Sequence, residues 1–343
     1  TESVAEICAA TDTEYLRLLR PDTALPENAV FVEDAAAAAE YLDRVDGNIL
    51  LTTGSRELRA FAALRDFSVS LCRAAGLSAD DAALLTDSIL FAECRGVTSH
   101  GLLRLPQYIA RLRSGATASN VPMPFTMESG GTARLDAQNG LGQLAGRKAS
   151  DKAEELAAKY GVSFVAVANS NHFGTGAWYA IPAARRGFFA FNISSAASAM
   201  APHGAAQPLL GTDPVGLALP RGEGKAPLAL DMALSTVARG KIRYAALNGT
   251  PIPETWGLDA HGAPTTDAAA VLAGGTLLPA GGAKGSGLAI FIELLCAVLT
   301  GSGALGGTGL LSDLSRPAGT GHIFGCVDIK RFLPLETFEA LCE

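Results

Sequence analysis

The sequence predicts an α/β protein in which a short α/β segment and a helical stretch precede a longer domain of alternating strands and helices. Three observations carry this. Apolar residues recur at helical spacing in "LSADDAALLTDSILFAECRG", within the helical stretch of residues 67–122. Between 123 and 305, "GVSFVAVANS", "GFFAFNISS" and "APLALDMALS" each read as a buried strand running into a small-residue turn. Around them, "RKASDKAEELAAKYG" and "TGAWYAIPAARRG" read as helices. At 343 residues the chain exceeds one ordinary core, and 48% hydrophobic against 18% charged residues leaves ample material for packed interiors.

In chain order, residues 1–66 have an α/β rhythm of their own. "SVAEICAATDTEYLRLLRP" reads as a helix and a strand that stops at Pro21, and "NAVFVEDAAAAAEYLDRVDGNILLTTGS" as strand, helix and buried strand. The helix after Leu77 opens with a capping box, Ser78 to Asp81, and ends at Gly96. After Pro122 and Pro124 the composition turns to alanine, glycine and β-rich runs. Residues 306–343 read as a shortened return segment of the helical region.

Composition narrows the function. A net charge of −7 with no clustered basic stretch argues against nucleic acid. The six cysteines are scattered and never form CxxC, which fits reduced thiols in the cytosol. No histidines, cysteines or carboxylates show metal-ligand spacing, and GxSxG is absent, so neither a metal site nor a serine nucleophile is expected. "TESVAEIC" lacks the regions of a secretory signal, and "GLAIFIELLCAVLTG" is too short to span a bilayer and carries Glu293, so a soluble cytoplasmic protein is expected.

The chemistry gathers in a few stretches. If 99–108 is helical, His100, Arg104 and Tyr108 drift only about 40° per step of four and face one cavity, with Pro106 kinking the helix. Arg104 suits a carboxylate, His100 can exchange a proton near neutral pH, and Tyr108 can orient by hydrogen bond. The same spacing also fits a surface helix with a solvated arginine. His172, in "VANSNHFGTGAWYA", stands on a turn between strand and helix, where a rigid scaffold places catalytic groups, or is satisfied there by Asn169 and Asn171. His203, His261 and His322 are read as structural histidines in glycine-flanked loops. "GLGQLAG" at 140–146 has GxGxxxG spacing after a loop-like stretch and is a weak cofactor signal. In "GTLLPAGGAKGSGLAIFIELL" a strand, a glycine loop with Lys284 and a helix starting near Gly287 suit a nucleotide phosphate, or form a tight packing turn.

Taken together, "VTSHGLLRLPQY", "SNHFGTGAWYA", "APHGAAQPLLGTDP", "LALDMALSTVARGKI" and "GGAKGSGLA" resemble the malate/L-lactate dehydrogenase family over about residues 57–338. The resemblance implies a non-Rossmann cofactor domain with a mixed sheet, inserted in a helical domain, and a homodimer. It implies an oxidoreductase that uses NAD or NADP on a small carboxylate, a 2-hydroxy or 2-oxo acid, or in some relatives a ureido acid or cyclic imino acid. By matched position, His100 is similar to the family's proton donor, with Ser99 beside it, and His172 to a second acid/base histidine. Arg104 and Tyr108 match substrate-carboxylate contacts. Asp231, Met232, Ala233, Leu234 and Ser235, with Ala283 and Lys284, match stretches that contact the cofactor, and Thr212, Asp213 and Pro214 lie near them. Some relatives carry a polar or acidic residue where this chain has Ala197.

Residues 1–66, through "EICAATDTEYLRLLRP" and "GNILLTTGSRELRAF", resemble the interior of a precorrin-6A reductase without its opening strand and glycine-rich phosphate turn. The alternatives to a working 2-hydroxy acid dehydrogenase are therefore a precorrin-reductase fusion or a catalytically impaired nucleotide-binding remnant.

Overall fold

A computed structural model describes residues 58–222, 225–303 and 306–342, with side chains from residue 64, and two short strands ahead of them. Those strands, β1 (Glu14–Leu16) and β2 (Ile49–Leu51), pair in parallel. Of the rest of the precorrin-reductase-like segment, residues 58–66 lie in the first helix, Leu58–Ala74, and the others lie outside the described residues.

The helical region opens with α1 (Leu58–Ala74) and α2 (Ala79–Cys94), tied by Arg65 and Asp87 at 2.6 Å. Ser78 caps α2 as expected, its hydroxyl accepting the Asp81 N–H at 3.2 Å. The kinked helix expected over 99–108 does not form. Two single 3₁₀ turns, Thr98–His100 and Leu102–Arg104, lead instead into α3 (Leu105–Ser114), with Pro106 in its first turn, where a missing N–H costs nothing. The break falls at Gly101 because the Glu93 carboxylate accepts the Leu102 N–H at 3.0 Å. A Cβ on Gly101 would lie 2.0 Å from that carboxylate oxygen, so a side chain there would displace the Glu93 contact. Cys72, Leu85, Ile89, Leu105, Tyr108 and Leu141 fill the core of this region.

The α/β domain is built on a seven-stranded mixed sheet of β3 (Phe125–Ser129), β4 (Thr132–Asp136), β5 (Phe164–Ser170), β6 (Phe188–Ser194), β7 (Val215–Leu219), β8 (Leu228–Met232) and β11 (Thr320–Asp328). The order is β3-β4-β5-β11-β6-β7-β8. Only β4 and β5 run parallel, joined across the sheet by α4 (Gly142–Tyr160), as a parallel pair requires. With α5 (Ala177–Arg185), α4 covers one face over Leu135, Val165, Val167, Tyr179 and Phe324. The other face, around Met200, Leu210, Leu234 and Ile323, packs against α6 (Arg239–Leu247), α7 (Ala268–Leu272) and α8 (Ala283–Glu293). Ile323 and Phe324 serve opposite cores, as the strand period of two demands. A small hairpin pair, β9 (Gly257–Leu258) with β10 (Thr276–Leu277), lies outside the main sheet.

Three expectations are corrected here. Strand β11, at the middle of the sheet, comes from residues 306–343, read from the sequence as a return segment. His322 stands inside β11, where a glycine-flanked loop was expected. The flanking Gly321 marks close approach, since a Cβ there would lie 1.5 Å from the Cys296 carbonyl oxygen. Finally β8, expected to be buried, is the exposed edge strand, its pairing ending at β7. No helix among the described residues is long and apolar enough to cross a membrane.

Candidate active site

The first 3₁₀ turn presents Ser99 and His100, and the stretch between β5 and α5 presents His172. The two imidazoles stack with ring centroids 5.4 Å apart. Ser99 Oγ lies 3.0 Å from His100 Nδ1, which leaves Nε2 as the working nitrogen. Tyr108 Oη is 2.7 Å from His172 Nδ1. Burial raises the Tyr108 pKa against the pull of Arg104, so it stays a phenol. The phenol proton is then free for His172 Nδ1, which puts the His172 proton on Nε2.

Arg104 donates through Nε to the Ser99 carbonyl at 2.7 Å and through Nη1 to Gln107 at 3.0 Å. Among the described residues it has no carboxylate partner. Its charge acts on the site: burial first, then Arg104, push His100 down to about 4. Burial, then His100, Arg104 and His322, hold His172 well below its ordinary range. Both histidines are neutral at pH 7 in the free protein. The site is thus a half-buried cationic anchor beside two neutral imidazoles, suited to an anion with an oxygen that gains or loses a proton.

Two buried residues hold this arrangement: Asn171, read from the sequence only as a neighbour that could satisfy His172, and Arg111, which sequence reasoning missed. Asn171 donates to the Asn139 and Gly140 carbonyls at 3.0 and 2.9 Å, which fixes the residue before His172. Its Oδ1 accepts from Arg111, whose guanidinium also donates to the Ala116, Leu310, Asp313 and Arg316 carbonyls. Gly142, in the weak cofactor signal at 140–146, packs against this turn: a Cβ there would sit 2.2 Å from the Asn171 carbonyl oxygen and 2.5 Å from that of His172. Those glycines serve packing. The signal for Asn171 lay in the quoted "SNHFG"; Arg111 gave none, because nothing in "IARLRSG" marks it as buried.

The stretches expected at the cofactor come together through backbone. Leu234 N–H donates to the Thr212 carbonyl at 2.7 Å, the Ala280 N–H to the Leu234 carbonyl at 2.8 Å, and Ser235 bridges to Pro279. Asp231 accepts the Ala177 N–H at the start of α5 at 2.9 Å. Asp213 is fully buried, accepts the Ala196 N–H, and is raised by burial and by neighbouring Glu293, so its carboxyl is turned inward. Met232 ends the edge strand, Ala233 follows it, and Pro214 leads into β7. Ala283 and the exposed Lys284 lie in the first turn of α8, which begins four residues before the expected Gly287, because Gly281 and Gly282 make the turn with φ of 66° and 61°.

His322 is fully buried, its ring stacked on Phe173 at 4.8 Å and its Nδ1 2.8 Å from Ser194 Oγ. Burial pushes its pKa down to about 3. Unfolded, it binds a proton near pH 6.5; folded, it does not. Its contribution is therefore constant above that pH and is lost as pH falls from 6.5 toward 3, by about 1.4 kcal/mol per unit. Urea unfolding at pH 7 and 5 checks this: His322→Gln is expected to flatten the acid-side loss by that amount, and an unchanged slope contradicts it.

Compared with known proteins, residues 60–343 match the family model described as Malate/L-lactate dehydrogenase, and residues 1–89 match Precorrin-6x reductase CbiJ/CobK. A (2R)-3-sulfolactate dehydrogenase (NADP(+)) from Chromohalobacter salexigens is 43% identical over 235 residues, 68% of this chain and 70% of that protein. A malate dehydrogenase from Pyrococcus abyssi is 35% identical over 283 residues, 80% of this chain and 77% of that protein. The structure of sulfolactate dehydrogenase from Methanocaldococcus jannaschii superposes with a TM-score of 0.77 at 34% identity, covering 82% of this chain and 80% of that one. The chain belongs to the malate/L-lactate dehydrogenase family and is an oxidoreductase of that family.

Proposed function

We propose that the protein moves a hydride between a nicotinamide cofactor and C2 of a 2-hydroxy or 2-oxo acid. The observation that carries this is the stacked His100 and His172 pair beside Arg104, a guanidinium without a carboxylate partner among the described residues. Arg104 binds the substrate carboxylate and sets C2 against the histidines. In oxidation, neutral His100 Nε2 takes the hydroxyl proton as C2 gives up its hydride, and in reduction a protonated His100 returns it to the oxygen. His172, its Nδ1 held by Tyr108, presents an Nε2–H that stabilises charge on that oxygen. Tyr108 thus acts through His172 rather than as the substrate contact first expected.

The residues present fit NAD or NADP. The positive-φ glycines before α8 leave room for close approach, since a Cβ on Gly281 would meet nothing within 4 Å, and Lys284 stands exposed beside the helix N-terminus. Lys284 would hold a phosphate, and 212–214 with 231–235 would line the rest. When bound, the nicotinamide supplies or accepts the hydride. Lys284→Ala is expected to raise the cofactor KM by about tenfold with a smaller change in kcat, measured by steady-state kinetics; an unmoved KM makes the loop a packing turn.

In this reading residues 123–305, completed by β11, form the cofactor domain inserted in the helical region. Exposed Leu288, Phe291, Leu295 and Val298 on α8 and its continuation suit a homodimer contact. A panel of 2-oxo acids with NADH and NADPH tests the function: turnover of at least one is expected, and none with either cofactor rejects it.

A further inference from the structure

The apolar stretch "GLAIFIELLCAVLTG" carries one acid, Glu293, and the function proposed above makes no use of it. Glu293 ends α8, Asp213 stands in the loop before β7, and both are buried. Their carboxyls meet on Gly211. Glu293 Oε1 accepts the Gly211 N–H at 3.2 Å, and a Cβ on Gly211 would lie 2.3 Å from Asp213 Oδ1. A buried carboxylate normally has a cation or several N–H groups to compensate it. Asp213 has little of either: Oδ1 takes the Ala196 N–H at 3.2 Å, and among the described residues no group donates to the buried Oδ2 and no cation pairs with the carboxyl. Burial, then the charge of Glu293, push its pKa up to about 9. The third titratable group here, Cys296 on the π-helical continuation of α8, is kept a neutral thiol by burial and by both carboxyls, so it supplies no counter-charge. Two carboxyls in one dry site do not both ionise. A proton on Asp213 needs an acceptor, and Glu293 is the acid at hand.

The two acids also join elements that the cofactor reading requires to stand together. Gly211 leads into Thr212, Asp213 and Pro214, and the Thr212 carbonyl holds the Leu234 N–H at 2.7 Å. Helix α8 ends at Glu293 and carries Lys284 in its first turn. Asp213 has a φ of 35°, a left-handed backbone that costs a non-glycine residue energy and persists only where its surroundings fix it.

We propose that Asp213 and Glu293 hold one proton between them and that this bridge clamps the 211–214 loop to α8, which makes both acids positioning residues for the nicotinamide cofactor. This rests on the function proposed above and adds a pH limit to its cofactor site. Unfolded, Asp213 loses its proton near the ordinary 3.8; folded, it keeps it to about 9. The folded state holds the extra proton between those values, so stability falls as pH rises across that window. Above about 9 the bridge is lost, the two carboxylates repel, and the loop and helix separate.

Asp213→Asn and Glu293→Gln test this, because each replaces the shared proton by an amide that donates without titrating, and asparagine tolerates the left-handed backbone. Thermal unfolding of the full chain at pH 5, 7 and 9 reads the proton. The Tm of each variant relative to wild type should rise by about 5 °C or more from pH 5 to pH 9. A relative Tm that does not move with pH overturns the proposal, since a merely structural contact has no such slope. Either variant decides this alone should the other fail to fold. Titration with NADH and NADPH, followed by nicotinamide fluorescence, reads the clamp. Wild-type Kd should rise about tenfold from pH 8 to pH 10, where only about a tenth of the molecules keep the bridge, and the variants should lack that rise. A rise that survives intact in both variants arises elsewhere and overturns the positioning role. If wild type binds neither cofactor at any pH, the dehydrogenase reading has failed, and the Tm series by itself upholds or rejects the shared proton.

Discussion

Replacing His100 by asparagine is expected to lower kcat by about a hundred- to ten-thousand-fold, the usual contribution of a positioned proton donor. Asparagine keeps a polar group beside Ser99 but neither takes nor gives a proton at the substrate oxygen. Cofactor affinity should stay near wild type, because 212–214, 231–235 and the turn at 279–280 that leads to Lys284 are held together by backbone contacts that do not involve His100. The pH dependence is more specific. With His100 near 4 in the free protein, kcat/KM for oxidation, which needs the neutral imidazole, should be flat above about pH 5. For reduction the protonated form is needed, so kcat/KM should fall about tenfold per pH unit above the same point. Both profiles should vanish in His100→Asn. An active variant with an unaltered profile moves the proton to His172 or to water.

How far the site was legible depended on whether a residue's role was local. His100, Arg104 and His172 stood in short motifs whose chemistry is plain from residue type, and the structure brings them together although the helix expected to align them is absent. Two 3₁₀ turns achieve the juxtaposition because Glu93, nine residues before Leu102 in sequence, claims the Leu102 N–H. That contact has no local signature. Nor has the placement of His322: its glycine neighbours read as a loop until the close approach of Gly321 to Cys296 gives them another reason. Strand β8 was found but its burial was misjudged, because an apolar run does not say whether a further strand pairs beyond it.

Arg111→Met is expected to destabilise the protein by about 3–5 kcal/mol, the sum of two or three buried acceptors left without donors at about 1–3 kcal/mol each. Arg111 is fully buried and has no carboxylate partner among the described residues; its guanidinium is dispersed over backbone carbonyls from residues 116, 310, 313 and 316, the hydroxyl of Thr117 and the amide oxygen of Asn171. Methionine fills much of the volume but donates nothing. Lysine restores the charge on one short-reaching nitrogen and cannot span the same fan of acceptors, so Arg111→Lys should recover only part of the loss. Because Asn171 directly precedes His172, Arg111→Met should also lower kcat under conditions where the variant remains folded, while leaving the cofactor KM in place. Urea unfolding monitored beside steady-state kinetics separates the two effects. A loss below about 1 kcal/mol would mean that water replaces the guanidinium at its acceptors, and the turn that presents His172 would then be held by Asn139, Gly140 and Gly142 without the arginine.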